Sequence, residues 1–366
     1  MAKSQLHALL IAINNYHPES NVTTLAGCIN DRDAINKFLK KNYSDLNPQI
    51  TTLTDDEATR TNVIATFRNE IVNKAKKGDT VLLYYAGHGS YSTSAPDFAK
   101  FDGLGQDETF VCYDSRLPNN YDLTDKELAV LLAEVGKDVH LVVIADACHS
   151  ASVTRTVGFQ RQPEIIGSAD FRLAQKRFQQ PRTLTRNIES YLLSEDNYYT
   201  KLAGKIAIPR SKHLLMSACS REEEAWETTN RRGLFTTYLL KVLKQNRNIS
   251  YADLFARVRA LVYNTAKNQQ PTLYPFEGFN PNTVFLRQDV KPNNNRHLIE
   301  VTDLGDWKME LGAINGVPTR DIDKANIVIG VYEGLGDDAI FKGATGVSNI
   351  GTVSYTHLTL PTICSV

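Results

Sequence analysis

Two apolar runs constrain this chain more than any other feature. Thr80–Ala86 reads TVLLYYA and Val139–Ala147 reads VHLVVIADA. Short, nearly continuous apolar runs bounded by turn-like residues predict strands of a parallel sheet buried on both faces. Each run ends in reactive chemistry: the first in Gly87-His88-Gly89-Ser90, the second in Cys148-His149-Ser150. Reacting groups in open α/β sheets gather at the carboxyl ends of strands. Two neighbouring strand ends therefore place an imidazole beside a thiol, which is the core of a cysteine nucleophile site.

The rest of the chain supplies the layers. Leu6–Ile13 and Gln49–Thr54 predict further strands, and Lys212–Cys219 resumes the sheet later. Apolar residues recur at helical spacing in Leu25–Asn42, Thr61–Lys76, Leu123–Val135, Gly233–Gln245 and Ser250–Lys267. Thr124 with Glu127, and Ser250 with Asp253, have capping-box spacing. Strand and helix alternate, which predicts an α/β fold: a mostly parallel central sheet with helices on both faces. Ser90–Gln106 reads as a loop, Thr109–Tyr113 as a short strand and Thr283–Leu286 as a last strand. This domain spans 1–289. Within it, 153–209 breaks the rhythm with basic residues Arg155, Arg161, Arg172, Lys176, Arg177, Arg182 and Arg186 among Gln and Thr. It reads as a solvated insertion, or as a linker offering basic residues to a protease. Residues 290–353 read as a small β-rich module or fragment. The final 354–366 continues no pattern and reads as a non-native tail.

Composition excludes several functions. Lys+Arg and Asp+Glu are 41 each, so nothing global favours nucleic acid or an anionic membrane. The apolar run near the start is too short for a membrane span and lacks a cleavage signature. The five cysteines are widely scattered with no CxxC, which predicts free thiols and a cytoplasmic location. No GxxxxGK phosphate loop occurs, and no Cys/His pair has zinc-finger spacing.

His88 can take the proton of Cys148 and return it to a leaving amine. The N–H groups of Gly89 and Cys148 can bind the oxyanion of a tetrahedral intermediate. Trp226 with Glu222–Glu224 lines either a substrate cleft or a surface loop.

Tyr85-Ala86-Gly87-His88-Gly89 and Asp146-Ala147-Cys148-His149-Ser150 resemble the histidine and cysteine boxes of caspase-like cysteine peptidases, of the metacaspase and bacterial orthocaspase branch. Gly27-Cys28-Ile29-Asn30-Asp31, Asp107-Glu108-Thr109 with Asp114, and Thr124-Asp125-Lys126-Glu127-Leu128 match the same branch in the same order. The resemblance covers roughly residues 5–288. It implies a caspase-like three-layer sandwich and a cysteine endopeptidase with His88 as base and Cys148 as nucleophile. It implies cleavage of polypeptides after Arg or Lys, with Asp31 and Asp146 as the acidic pocket and Cys28 beside them. Two carboxylates can hold a guanidinium by charge-assisted bonds; the plainer reading is that Asp31 caps a helix and Asp146 anchors a turn. Metacaspases often carry Ser where Ala86 stands, so one pocket hydrogen bond is missing here.

Many relatives use calcium, for which Asp102, Asp107, Asp122 and Asp125 are the candidates; there is no EF-hand loop, and a helix N-terminus explains Asp125 equally well. No other cofactor is implied. The resemblance also points to a monomer, and self-processing within 153–209 is a further expectation. The alternative is a catalytically silent caspase-like module working through protein contacts.

Overall fold

The computed structural model describes residues 4–98, 105–148, 173–181, 186–192, 208–220, 223–292, 332–333 and 340–341. Among these the elements run β1 Leu6–Ala12, α1 Cys28–Asn42, β2 Gln49–Thr54, α2 Arg60–Thr66, β3 Thr80–Ala86, β4 Gly89–Thr93, β5 Gln106–Phe110, β6 Leu123–Thr124, α3 Asp125–Glu134, β7 His140–Asp146, β8 Leu173–Lys176, β9 His213–Ser217, β10 Trp226–Thr228, β11 Arg232–Gly233, α4 Leu234–Gln245, α5 Tyr251–Thr265 and β12 Thr272–Pro275. A π-helical stretch, Phe67–Val72, continues α2.

The central sheet has six strands in the order β12-β9-β7-β3-β1-β2. All neighbours are parallel except β12, which runs antiparallel to β9 at the edge. Strands β1, β3 and β7 are buried at every position, as near-continuous apolar runs require. Alternation sorts their side chains onto two faces. Leu82, Tyr84, Val142 and Ile144 pack with Ile35 and Leu39 of α1, Leu239 and Leu243 of α4, and Leu254 and Val258 of α5. Val81, Leu83, Tyr85, Leu141 and Val143 pack with Val63 and Ile64 of α2 and with Leu131 and Leu132 of α3. The predicted sandwich is therefore present, with helices on both faces.

Register positions the chemistry. Ala86 lies directly opposite Asp146, so β3 and β7 end level and deliver Gly87-His88 and Ala147-Cys148 side by side. Local signals agree at α3 and α5. The Thr124 and Glu127 capping box is formed in both directions, and the Ser250 side chain caps α5 through the Asp253 N–H.

Three expectations need correcting. Ser90–Gln106 is not simply a loop: Gly89–Thr93 pairs antiparallel with Gln106–Phe110, and β6 completes a small second sheet. Its small polar residues hide the strand, because a remote partner stabilises it and local propensity does not. Thr283–Leu286 forms only isolated bridges, Val284 with Ser250 and Arg287. The 153–209 stretch is not a solvated insertion where it is described. Leu173–Lys176 is a strand paired with β10, and Arg177 and Arg186 are fully buried side chains.

The chain divides into two compact units, Met1–Phe279 with Thr283–Lys291, and Asn280–Asn282 with Pro292–Val366. In the second unit a two-stranded pair, β13 Tyr332–Glu333 and β14 Ile340–Phe341, is described; the remainder of the predicted 290–353 module and the 354–366 tail lie outside the described residues.

Candidate active site

The imidazole of His88 is held from two sides. Its backbone N–H donates to the Tyr16 hydroxyl at 2.8 Å. Its Nε2 lies 2.8 Å from the Thr23 carbonyl oxygen. A carbonyl can only accept, so Nε2 carries the proton and Nδ1 keeps a lone pair. Nδ1 is buried and has no hydrogen-bond partner. Burial pushes the His88 pKa down to about 4, so the ring is neutral near pH 7.

Cys148 follows β7 and is completely buried. Its Sγ lies 3.3 Å from the Ala225 carbonyl oxygen and accepts the Ala225 N–H at 2.7 Å. Gly89 passes hard against it: a Cβ at Gly89 would fall on the Cys148 carbonyl group. Glycine is obligatory there because two strand ends cross without room for a side chain. The Gly89 and Cys148 N–H groups converge on one acceptor, the carbonyl oxygen of Arg177, at 3.0 and 3.1 Å.

That carbonyl belongs to the chain's own β8 segment. Leu173–Lys176 pairs antiparallel with Trp226–Thr228, and Arg177 N–H donates to the Ala225 carbonyl at 2.9 Å. Beyond Arg177 the strand continues past Gly89, with Gln179 N–H on the Gly89 carbonyl at 3.0 Å. The segment thus crosses both strand ends in extended form, with a backbone carbonyl on the two converging donors.

The Arg177 side chain is 0% exposed. Its guanidinium reaches Asp31 at 2.6 Å, Asp146 at 3.0 Å and Glu227 at 3.0 Å. Asp31 and Asp146, predicted as a cation pocket, do converge. The plainer readings need correcting: Asp31 does not cap α1, whose N-cap is Gly27 with no side-chain cap, but accepts from Gly233 N, and Asp146 Oδ2 accepts from Thr236 N and Oγ1 in the first turn of α4. A side chain on Gly233 would run into Asp146 and Arg177, so this glycine is the pocket wall. Cys28 sits beside the pocket with Sγ 3.5 Å from Glu227, and burial raises its thiol well above the ordinary range.

Three carboxylates surround one guanidinium, and the balance shows in their protonation. Burial, with Asp146 nearby, lifts Asp31 to about 7 despite Arg177. Glu227 goes the other way. Burial alone would raise it, but Arg177 and the N–H groups of Ala26 and Gly27 hold it below its ordinary value.

Glu227 was not singled out by sequence reasoning, although it stands in the acidic stretch Glu222-Glu223-Glu224-Ala225-Trp226-Glu227. Its place one residue after Trp226 in β10 was the available signal. Thr23, Tyr16 and Ala225 act through backbone groups or a lone hydroxyl and left no motif.

The calcium candidates are placed differently. Asp107 binds Lys126 at 2.6 Å and Ser94 at 2.5 Å, and also contacts the Tyr191 hydroxyl. Asp122 binds Arg116 at 2.8 Å and Thr109 at 2.8 Å. Asp125 opens α3, and Asp102 lies outside the described residues. Among the described residues no group of three or more His, Cys, Asp or Glu side chains is placed to hold a metal. A hard cation needs several free oxygens; of the described candidates, Asp107 and Asp122 each face a cation of the chain itself, Lys126 and Arg116. The four described cysteines are free thiols, and no described helix is long and apolar enough to cross a membrane.

Comparison with known proteins gives the family. The family model for the caspase domain, Peptidase_C14, matches residues 5–277. Metacaspase-1A of Aspergillus niger is 27% identical over 44% of this chain and 41% of its own length. Metacaspase-1 of Eremothecium gossypii is 31% identical over 46% of this chain and 38% of its own. Metacaspase-1 of Lodderomyces elongisporus is 24% identical over 76% of this chain and 66% of its own. The chain thus aligns with about two fifths of the length of the first two. A solved structure, protein GSU0716 from Geobacter sulfurreducens, superposes with TM-score 0.55 at 22% identity, covering 78% of this chain and 97% of that one. That likeness concerns the fold.

Proposed function

Because this chain belongs to the caspase-domain family of C14 peptidases, we propose that it is a cysteine endopeptidase that cleaves polypeptides after Arg or Lys and cuts itself after Arg177. One observation carries the reading: Arg177 occupies the cleft as a substrate residue would, with its guanidinium on Asp31, Asp146 and Glu227 and its carbonyl on the Gly89 and Cys148 N–H groups.

No hydrogen bond joins His88 Nδ1 to the Cys148 thiol, which lies on Ala225, so the proposed chemistry begins once the thiol has turned toward the imidazole. His88 Nδ1 takes the thiol proton of Cys148. The thiolate attacks the carbonyl carbon of the residue in the pocket, and the oxygen gains charge between two N–H donors fixed in advance. Such donors are worth about 10²–10³ in rate each. The C–N bond then breaks, and the His88 imidazolium gives its proton to the leaving amine. Water, deprotonated by His88, hydrolyses the thioester and restores the thiol. In the self-occupied state Sγ rests on Ala225, so attack needs the thiol to turn off that carbonyl toward Arg177. A cleft filled by its own strand would exclude added substrates until that strand leaves.

The test is hydrolysis of fluorogenic peptides ending in Arg, Lys or Asp by the full chain, with intact-mass analysis of the protein itself. Arg and Lys peptides are cut, Asp peptides are not, and a new N-terminus appears at Phe178. Cys148→Ala removes all of these activities. Cleavage after Asp would sink the pocket assignment and keep the nucleophile. Silence of the wild-type chain and of an Arg177→Ala chain alike would favour the non-catalytic module.

A further inference from the structure

The residue before Arg177 is bound as specifically as Arg177 itself. Lys176 projects its ammonium to Glu224 Oε1 at 2.6 Å and over the Trp226 ring, 5.2 Å from its centre. Both partners are fixed independently of the lysine. Glu224 N–H donates to the Asn268 carbonyl at 3.3 Å, and Asn268 Nδ2 donates to Glu224 Oε2 at 3.3 Å. Trp226 is 7% exposed, and its backbone N–H donates to the Gln269 side-chain oxygen at 3.1 Å. The carboxylate and the aromatic face therefore remain in place when the strand leaves. The lysine is only partly covered, with 40% of its side chain exposed against 29% for Glu224, as a subsite open at its rim would leave it. One residue further back the recognition is undemanding: Gln175 Nε2 donates to the Thr24 carbonyl at 2.6 Å, and Ala174 is exposed.

We infer that Glu224 and Trp226 form a second cation subsite, and that the preferred substrates are dibasic, with Lys or Arg immediately before the Arg at the scissile bond. This rests on the endopeptidase reading above and names the substrate class of that site. An ammonium between a carboxylate and an indole face gains from charge pairing and from the ring quadrupole together. A neutral side chain of the same length gains only the contact of its alkyl stem with the ring. Discrimination by charge is then on the order of tenfold in kcat/KM, weaker than at the buried pocket because the rim is wet.

The experiment compares two peptides that differ in charge alone, one with Lys and one with norleucine before the terminal Arg. Both are read on the full wild-type chain and on Arg177→Ala, whose own strand no longer fills the pocket. The expected result is cleavage of both after Arg, with about tenfold preference for the Lys peptide. That ratio shrinks with added salt, since a wet ion pair is screened. Glu224→Gln narrows the ratio to about threefold or less, and Glu224→Lys abolishes or inverts it. Equal rates for the two peptides would overturn the dibasic subsite and leave cleavage after Arg standing. Absence of cleavage in both proteins would overturn the endopeptidase reading and this inference with it.

Discussion

Arg177 and Glu227 carry the argument at the scale of single residues. A fully buried guanidinium is tolerated only when its charge is matched, and three carboxylates do the matching. Removing one partner of a buried charge pair typically costs about 2–5 kcal/mol. Glu227→Gln is therefore expected to lower kcat/KM for Arg peptides by roughly 10²-fold or more, mainly through KM, which steady-state kinetics on paired Arg and Lys substrates would read. The histidine and cysteine boxes were legible because chemistry-bearing residues sat at the ends of apolar runs. Glu227 was not, because its meaning depends on a strand pairing with residues about fifty positions earlier. Arg177 was visible only as one of several basic residues. No local pattern says which basic residue enters a pocket made by Asp31, Asp146 and Glu227, since each arrives from a different element.

At the scale of elements, the strands that read most clearly are those whose environment is uniform. β3 was delimited correctly, Thr80–Ala86, because burial on both faces leaves no polar interruption. β4 was missed because its residues are small and polar and its pairing with β5 spans a long connection. The α3 cap was legible because capping is local chemistry. Its removal is equally local: Thr124→Ala should cost about 1 kcal/mol, measured as a shift in the urea midpoint with unchanged m-value. Asp107 of β5 pairs with Lys126 of α3, and Asp122, just before β6, pairs with Arg116. With those oxygens committed, chelation of calcium should change the rate on Arg peptides by less than about twofold. A rate that collapses on chelation and returns with calcium would show that these pairs open to admit the ion.

The whole molecule feels acid through its buried imidazoles. Burial lowers His88 and His140 to about 4 each, His140 also repelled by Lys212. Between roughly pH 6.5 and 4 the unfolded chain binds protons that these folded sites refuse, so both groups make stability fall as pH falls through that window. Asp31 acts in the opposite sense. Its raised value of about 7 means the folded state holds a proton there that the unfolded chain has already released, so its contribution is lost as pH rises toward neutrality. His140→Gln should therefore flatten the acid side of the stability profile, as urea midpoints at about pH 4.5 and 7 would show. An unchanged slope in that variant would place the acid sensitivity elsewhere.

The strand that crosses the cleft does not end at Arg177. Phe178 forms a parallel bridge with Gly89. Further on, Arg186 is locked on Glu127 at 3.0 Å and over the Tyr191 ring. A cut after Arg177 therefore releases an amine that cannot diffuse away: it stays tethered beside the thioester it has just left. Tethering raises its local concentration far above that of a free peptide, so the amine competes with water for the acyl group. If the chain cuts itself there as proposed, its first turnover is a repeated opening and resealing of one bond, made permanent by the departure of the downstream strand from its anchors rather than by the bond-breaking step.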